Sequence, residues 1–485
     1  MLPLHQWVVL NREMSTPVYL QISGGLIRCI QEGKLLPGRR LPGSRQMAML
    51  WEVHRQTVIR ALEELEIQGW LQTKPNKGVF VAEQLPNLQP QPVGNLQPVI
   101  QYDRPDLVVP PFLSKPVVAD LRYNLDDGLP DVRLAPIDEM ARTYARLLRN
   151  SKQRQLSYGD AQGSQRLREG LVEELRHSRG LRLDSENLLI TRGSQMAIFL
   201  TAASILKPGD RVLVGKPNYF TANLTFRYLG AELVTVSVDE KGLVVSEMES
   251  ILEKTPVRMI YVTPHHHHPT TVTLAPERRL QLLELARRRR IIILEDDYDF
   301  DFHYSNKPIL PLAGASGQEQ VIYIGSFTKC LAPVFRVGYI AAPKPWISEM
   351  VKVRRLLDRQ GDVLLEDTIA HLLEQGLIRR ALKKSWQQYR LRRDHAVSSL
   401  QELSDYISFR PPDGGLAIWA QFKSGLSVSG LSERLSTNGV YLSNGYSYQQ
   451  GGAAAGQIRM GFASMREEEW VVAIELLKQQ IEISI

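Results

Sequence analysis

Eight prolines fall within the 31 residues from Pro86 to Pro116: Pro86, Pro90, Pro92, Pro98, Pro105, Pro110, Pro111 and Pro116. Each fixes φ and removes a backbone donor, so no helix or interior strand runs through this stretch. The spacing predicts an extended, semi-rigid linker, roughly 3.1 Å per residue where it is polyproline II. The 485 residues then read as a module at 1–82, a linker at 83–116 and a body at 117–485, with ample length for buried cores. Hydrophobic residues at 43% and charged residues at 23% are ordinary for a globular chain and set disordered, collagen-like and membrane classes aside. Cys29 and Cys330 supply neither a disulfide framework nor a zinc motif. No apolar run spans a bilayer and no basic leader opens the sequence, so the expected location is the cytoplasm, with no membrane partner.

The net charge is +7, and residues 1–82 hold ten Lys/Arg against six Asp/Glu, more than half of the excess. A solvated basic face explains this as well as a polyanionic partner does. Pattern adds more. Val18 to Gly33 has apolar residues at helical spacing and ends at glycine. Ser44 is placed to N-cap a short helix through Trp51. A longer helix is expected from His54 to Gln68, with Val58, Ala61, Leu62 and Leu65 inward, and WLQTKPNKGVFVAE reads as a hairpin turning at Pro75–Gly78. Three helices and a hairpin make a winged helix-turn-helix arrangement. The helix from His54 presents His54, Arg55, Gln56, Thr57 and Arg60, side chains suited to base edges and phosphates. Ser44 and Arg45 suit a phosphate, and Lys74 and Lys77 flank the wing turn. A helical bundle with a charged exterior is the bland alternative.

The segment from PVYLQISGG to KGVFVAE resembles the winged-helix domain of GntR-type transcription regulators over about 65 residues. The ordered set P-x-Y, G-x-L-x-P-G-x-x-L-P, S-R and T-V-x-R-A-L-x-x-L carries the resemblance, which implies operator DNA as a partner. One departure stands out. Trp51, Glu52 and His54 occupy the turn where this family usually shows Gly and then Ser or Thr.

The body alternates helical stretches with short apolar strands (NLLITRG, RVLVGKP, AELVTVSVD, RMIYVTP, IIILEDD, QVIYIGS), the pattern of an α/β fold with a mostly parallel sheet. Polar residues gather at the strand ends, where such folds bind ligands. Lys329 follows QVIYIGS beside Ser326 and Thr328, with Arg336 seven residues on. Such a lysine can lose its proton and act as a nucleophile, although a lone lysine is ordinarily solvated. The acids ending IIILEDD suit a structural role, a metal or a cofactor. Gly193, Ser194 and Gln195 open a helix whose amides form an anion cup.

In this chain order the elements resemble fold-type I enzymes dependent on pyridoxal 5′-phosphate, the aspartate aminotransferase superfamily, from roughly Tyr123 onward. The resemblance implies a Schiff base at Lys329, a pyridinium partner in Asp296 and a hydrogen bond from Tyr298 to the phenolate oxygen. It implies ring stacking by Tyr219 and phosphate contacts from Ser194, Gln195, Ser326, Thr328 and Arg336. Arg459 matches the arginine that clamps a substrate or effector carboxylate, and Tyr158 the tyrosine lent to a neighbouring subunit's phosphate. His265, His266, His267 and His268 stand where transaminases carry Asn-Pro-Thr-Gly. With no cysteine or carboxylate beside them in sequence they are read as lining the cofactor site, with no metal expected. The missing asparagine argues against efficient transamination. Arg287–Arg290 ends a helix, where cations complement its dipole.

The whole chain resembles MocR/GabR-type regulators. That implies a transcription factor that binds operator DNA as a head-to-tail homodimer and senses an amino compound or pyridoxal phosphate. An active aminotransferase with an accessory N-terminal domain is the alternative.

Overall fold

A computed structural model describes residues 2–14, 16–86, 121–151, 156–304, 309–315 and 319–484. The chain divides into two compact units, Met1–Val108 and Val109–Ile485. From residue 87 onward the expected proline-rich linker lies outside the described residues.

The first unit contains α1 (Leu4–Trp7), α2 (Val18–Gln31), α3 (Ser44–Trp51) and α4 (Arg55–Ile67), then the hairpin β1 (Leu71–Lys74) and β2 (Gly78–Val81). Lys74 pairs with Gly78 across the wing turn. Val58, Ala61, Leu62 and Leu65 are all buried on one face of α4, as their spacing requires. Ser23 Oγ ties α2 to α4 by donating to the Ala61 carbonyl at 3.2 Å.

Two local expectations need correction. Gly43, not Ser44, holds the extended cap position of α3. The Ser44 hydroxyl instead accepts a hydrogen bond from Arg55 Nε at 3.2 Å, joining the starts of α3 and α4. Helix α1 was not expected, because four residues cannot nucleate a helix alone. Tertiary contacts hold it: Leu4 and Val8 are buried, and Trp51 Nε1 donates to the Val8 carbonyl at 3.0 Å. The departure in the turn is also resolved. Glu52 takes the left-handed conformation at φ 53° that glycine adopts more cheaply, and His54 Nδ1 caps α4 by accepting from the Gln56 amide.

The second unit opens with β3 (Tyr123–Leu125), α5 (Ile137–Asn150) and α6 (Gln165–Arg179). Its main sheet is built from β4 (Leu188–Thr191), β5 (Arg211–Lys216), β6 (Glu232–Asp239), β7 (Gly242–Leu243), β8 (Met259–Val262), β9 (Ile292–Asp297), β10 (Val321–Ser326) and β11 (Gly338–Ala341). Helix α7 (Gly193–Ile205) follows β4 directly. The strand order is β4-β11-β10-β9-β8-β5-β6-β7. Strands β10, β9, β8, β5 and β6 run parallel, while β11 is reversed between β10 and β4. Both faces are covered: Val212 and Val214 join one apolar cluster, and Leu213 between them joins another. That is why these strands read as continuous apolar runs. From β5 the chain goes outward to β6 and then crosses back to β8. The carboxyl ends of β5 and β8 thus flank a topological switch point, where α/β sheets open a crevice.

A smaller set of elements completes the unit. β12 (Ile407–Phe409), β13 (Ala417–Phe422) and β15 (Gln457–Gly461) form an antiparallel sheet, and β14 (Val440–Leu442) pairs in parallel with β3. Arg287, Arg288 and Arg289 sit in the last turn of the helix Pro276–Arg289, as the dipole argument expected. No helix among the described residues is long and apolar enough to cross a membrane.

Candidate functional site

A cavity of about 280 Å³ opens at that switch point. Nine residues singled out from sequence line it: Ser194, Gln195, Tyr219, Asp296, Tyr298, Ser326, Thr328, Lys329 and Arg336. His268, from the histidine run read as lining the site, does so too, and four others join them: Asp127, Thr221, Tyr261 and Thr263.

One end of the cavity is built for an anion. The first turn of α7 supplies Ser194 and Gln195, where amide donors point outward from a helix N-terminus. Ser326 Oγ donates to Thr328 Oγ1 at 2.8 Å, and Arg336 Nη2 donates to the Arg192 carbonyl at 3.1 Å. The guanidinium packs flat on Gly193, which has φ 76°; a Cβ there would stand 2.9 Å from Arg336 Nη2. The positive φ favours glycine here, and a side chain would also push the guanidinium aside. The Gln195 side chain donates to Thr225 Oγ1 at 2.8 Å.

Another side of the lining carries an acid. Asp296, in β9, accepts a hydrogen bond from the Tyr261 hydroxyl at Oδ2 (2.8 Å). Its Oδ1 is buried and has no hydrogen-bond partner among the described residues. Burial pushes the Asp296 carboxyl up from its ordinary 3.8 to about 7, the Tyr261 bond opposing and the charges of Asp297 and Asp299 adding. The folded chain therefore keeps a proton that the unfolded chain releases. That contribution to stability is fully present below about pH 4 and is lost as pH rises through about 7. Without cofactor, the denaturation midpoint of wild type should fall relative to that of Asp296→Asn across this window. Parallel pH profiles for the two proteins would refute this assignment.

Lys329 also lines the cavity. Its Nζ donates to the Gly128 carbonyl at 2.5 Å and lies 6.0 Å from the centre of the Tyr298 ring. Burial lowers its pKa and Arg459 adds to the effect, against the opposing pull of Asp127. Such a shift favours the neutral amine, the nucleophilic form of a lysine. Tyr298 donates its hydroxyl to the His266 carbonyl at 3.0 Å.

Tyr158 and Arg459 do not line this cavity. Tyr158 is 72% exposed, its ring beneath the Arg359 guanidinium at 3.9 Å. Arg459 is only 2% exposed and lies behind Asp127, its Nε 3.1 Å from Asp127 Oδ1. The histidine run is divided in its work. His265 Nδ1 stands 3.0 Å from Asp297 and His266 Nδ1 2.8 Å from Asp299, while His267 Nε2 meets the Pro217 carbonyl at 2.9 Å. Only His268 of the four lines the cavity, edge-on to Tyr219 with ring centres 4.7 Å apart.

In the first unit, His54, Arg55, Gln56 and Arg60 are exposed along the start of α4, with Thr57 partly so. Arg60 lies over the Tyr19 ring at 4.1 Å. Arg45 and Lys77 are exposed, and Lys74 pairs with Glu83 at 3.3 Å. The surface offers cations and amide side chains on a helix of groove-reading length.

A helix start, a lysine and a buried carboxyl gather around one crevice, in a chain that also carries a winged helix. The chain belongs to the aminotransferase class I and II family, whose model matches residues 123–477, and residues 18–81 match the bacterial regulatory proteins of the gntR family. It is a GntR-type regulator carrying an aminotransferase-like body. Across 90% of its length it is 28% identical to the probable rhizopine catabolism regulatory protein MocR of Rhizobium meliloti, covering 88% of that protein. It is also 28% identical to the pyridoxine biosynthesis transcriptional regulator PdxR of Corynebacterium glutamicum, over 96% of this chain and 97% of that one. The body superposes on LysN, the α-aminoadipate aminotransferase of Thermus thermophilus, complexed with N-(5′-phosphopyridoxyl)-L-leucine. There the TM-score is 0.70 at 26% identity, over 75% of this chain and 92% of that one. Pyridoxal 5′-phosphate is the cofactor of this fold's homologues, DNA is the partner of the gntR domain, and the aminotransferase-like fold is a dimeric one. The donor set fits that cofactor: donors for a phosphate, an amine for an aldehyde, and the open Oδ1 of Asp296 for a pyridine N–H.

Proposed function

We propose that this chain is a cytoplasmic transcription factor whose body holds pyridoxal 5′-phosphate and senses an amino compound, and whose winged helix reads operator DNA. The observation that carries it is the convergence of Lys329, Asp296 and the cup formed by Ser194, Ser326, Thr328 and Arg336 on one cavity of a chain that also has a gntR domain. When bound, the cofactor supplies an aldehyde that traps primary amines and a ring that withdraws electrons. Lys329 Nζ is the amine placed to hold that aldehyde. Asp296 would hold a proton on the ring nitrogen, and Tyr298 and Tyr219, which line the same cavity, would bind and orient the ring. Tyr158 is assigned to a neighbouring subunit's phosphate in a head-to-tail pair. Arg459 lies on the effector side, beneath Asp127.

The regulator reading is favoured over a working aminotransferase by coverage. Relatives named as regulators align over 90% or more of this chain, whereas the 2-aminoadipate transaminase of Thermus thermophilus aligns over 70%. Sensing requires that amine binding and DNA binding change each other's affinity by the same factor, typically about 1–3 kcal/mol. Titrating amines by the cofactor's absorbance, with and without DNA, tests it. Equal affinities in both conditions for every amine that binds would remove the sensing role.

On the DNA side, Arg55→Ala should relax sequence preference, since one bidentate base contact is worth about 1–3 kcal/mol. Lys77→Ala should instead weaken binding evenly and flatten its salt dependence. Mobility shifts over a salt series, with matched and mismatched fragments, distinguish the two. Identical behaviour of both variants would show that α4 and the wing are wrongly divided.

A further inference from the structure

Asp127 lines the cavity and contacts Arg459, the residue assigned above to the effector side. It follows β3 in a loop pinned by its neighbour: Asp126 Oδ1 accepts from the amides of Gly128 (2.7 Å) and Leu129 (2.6 Å), and Asp126 Oδ2 from Ser464 Oγ (2.7 Å). The loop thus has a fixed shape. Gly128, at φ 89°, lets Arg459 come close, for a Cβ there would lie 3.2 Å from Arg459 Nη2.

Three groups converge on the Asp127 carboxylate. Tyr448 donates its hydroxyl to Oδ1 at 2.7 Å, His268 Nε2 lies 2.9 Å from Oδ2, and Arg459 Nε is 3.1 Å from Oδ1. The Arg459 contact is an ion pair without hydrogen-bond alignment, and Nε has no hydrogen-bond partner among the described residues. The Asp127 side chain is 48% exposed against 2% for that of Arg459, so the carboxylate faces the cavity and the guanidinium lies behind it. Burial opposes ionisation here, but His268 and Arg459 outweigh it and hold the carboxyl well below the usual range.

We propose that Asp127 determines effector class, filling the carboxylate clamp from within so that the cavity takes amines that lack a carboxylate on the reacting carbon and carry a second cationic group. This rests on the body being an amine sensor. An incoming α-carboxylate meets the Asp127 anion and must displace it from Arg459, whereas a second ammonium finds that anion already oriented by Tyr448 and His268. The unlike-charge contact is gained and the like-charge contact is avoided.

The test uses the full chain with its cofactor bound. It is titrated with 1,4-diaminobutane and with L-norvaline, which share a primary amine and differ in carrying a second ammonium or a carboxylate. Binding is read from the absorbance of the bound cofactor and, separately, from the mobility of a DNA fragment selected from random sequence by wild type. Wild type should prefer the diamine at least tenfold. Asp127→Asn, which keeps size and an acceptor for the Tyr448 hydroxyl, should shift that preference at least tenfold toward L-norvaline, and Asp127→Ser should do the same. A wild-type preference for L-norvaline overturns the assignment, as does a ratio unmoved in both variants. If no amine alters the absorbance of any of the three proteins, the sensor reading falls first and this assignment with it.

Discussion

Lys329→Ala, supplied with cofactor, should retain none of it after borohydride and denaturation, whereas wild type should keep one equivalent fixed covalently. Lys329 is the lysine among the residues lining the cavity. Its amine is depressed toward neutrality by burial, and its hydrogen bond is to the Gly128 carbonyl. Its nearby acids keep other partners, Asp126 in Ser464 and two backbone amides and Asp127 in Tyr448 and Arg459, so the far-ultraviolet circular dichroism should match that of wild type. Peptide mapping of the reduced wild-type protein supplies the check. A label on any other lysine would place the covalent site elsewhere.

The second large effect should come from Asp296→Asn. The change keeps volume and the acceptor facing Tyr261, but it removes the only formal charge available at the open Oδ1 position. Truncating one partner of a buried, hydrogen-bonded charge pair costs about 2–5 kcal/mol. Cofactor affinity should therefore fall by roughly 30-fold to several thousand-fold. Equilibrium dialysis measures it, and Tyr261→Phe serves as comparison, because it removes a hydrogen bond of about 0.5–1.5 kcal/mol and no charge. If the two variants lose affinity equally, Asp296 acts as a scaffold for Tyr261 rather than as the ring's counter-charge.

Much of this site was legible because its residues lie on local signals. Asp296, Ser326 and Lys329 each follow or end an apolar run, and parallel strands buried on both faces announce themselves as such runs. Gly193 and Ser194 mark a strand passing into a helix. Asp127 was not found, although it is an acid pair with Asp126 at a strand end, the same signal that drew attention to β9. Its significance comes from Tyr448, 321 residues away, and from Arg459, and no local pattern encodes a meeting at that range. Tyr261 was quoted within its strand, yet only the pairing of β8 with β9 brings its hydroxyl to Asp296. Ser44 carries the residue type of a cap, but the backbone made Gly43 the cap. The reversed strand β11 and the short helix α1 escaped notice because tertiary neighbours create them.

The fit of Arg336 onto Gly193 has a consequence for the protein's lifetime. The two residues come from the approaches to β11 and α7, and they meet only when β11 has paired with β4. An unfolded chain has no such cup, so the cofactor is a ligand of the native state alone. At a hundred times its dissociation constant such a ligand adds about 2.7 kcal/mol of stability. The cofactor-loaded chain should therefore outlast the cofactor-free chain under limited proteolysis, because the protease acts on the unfolded form.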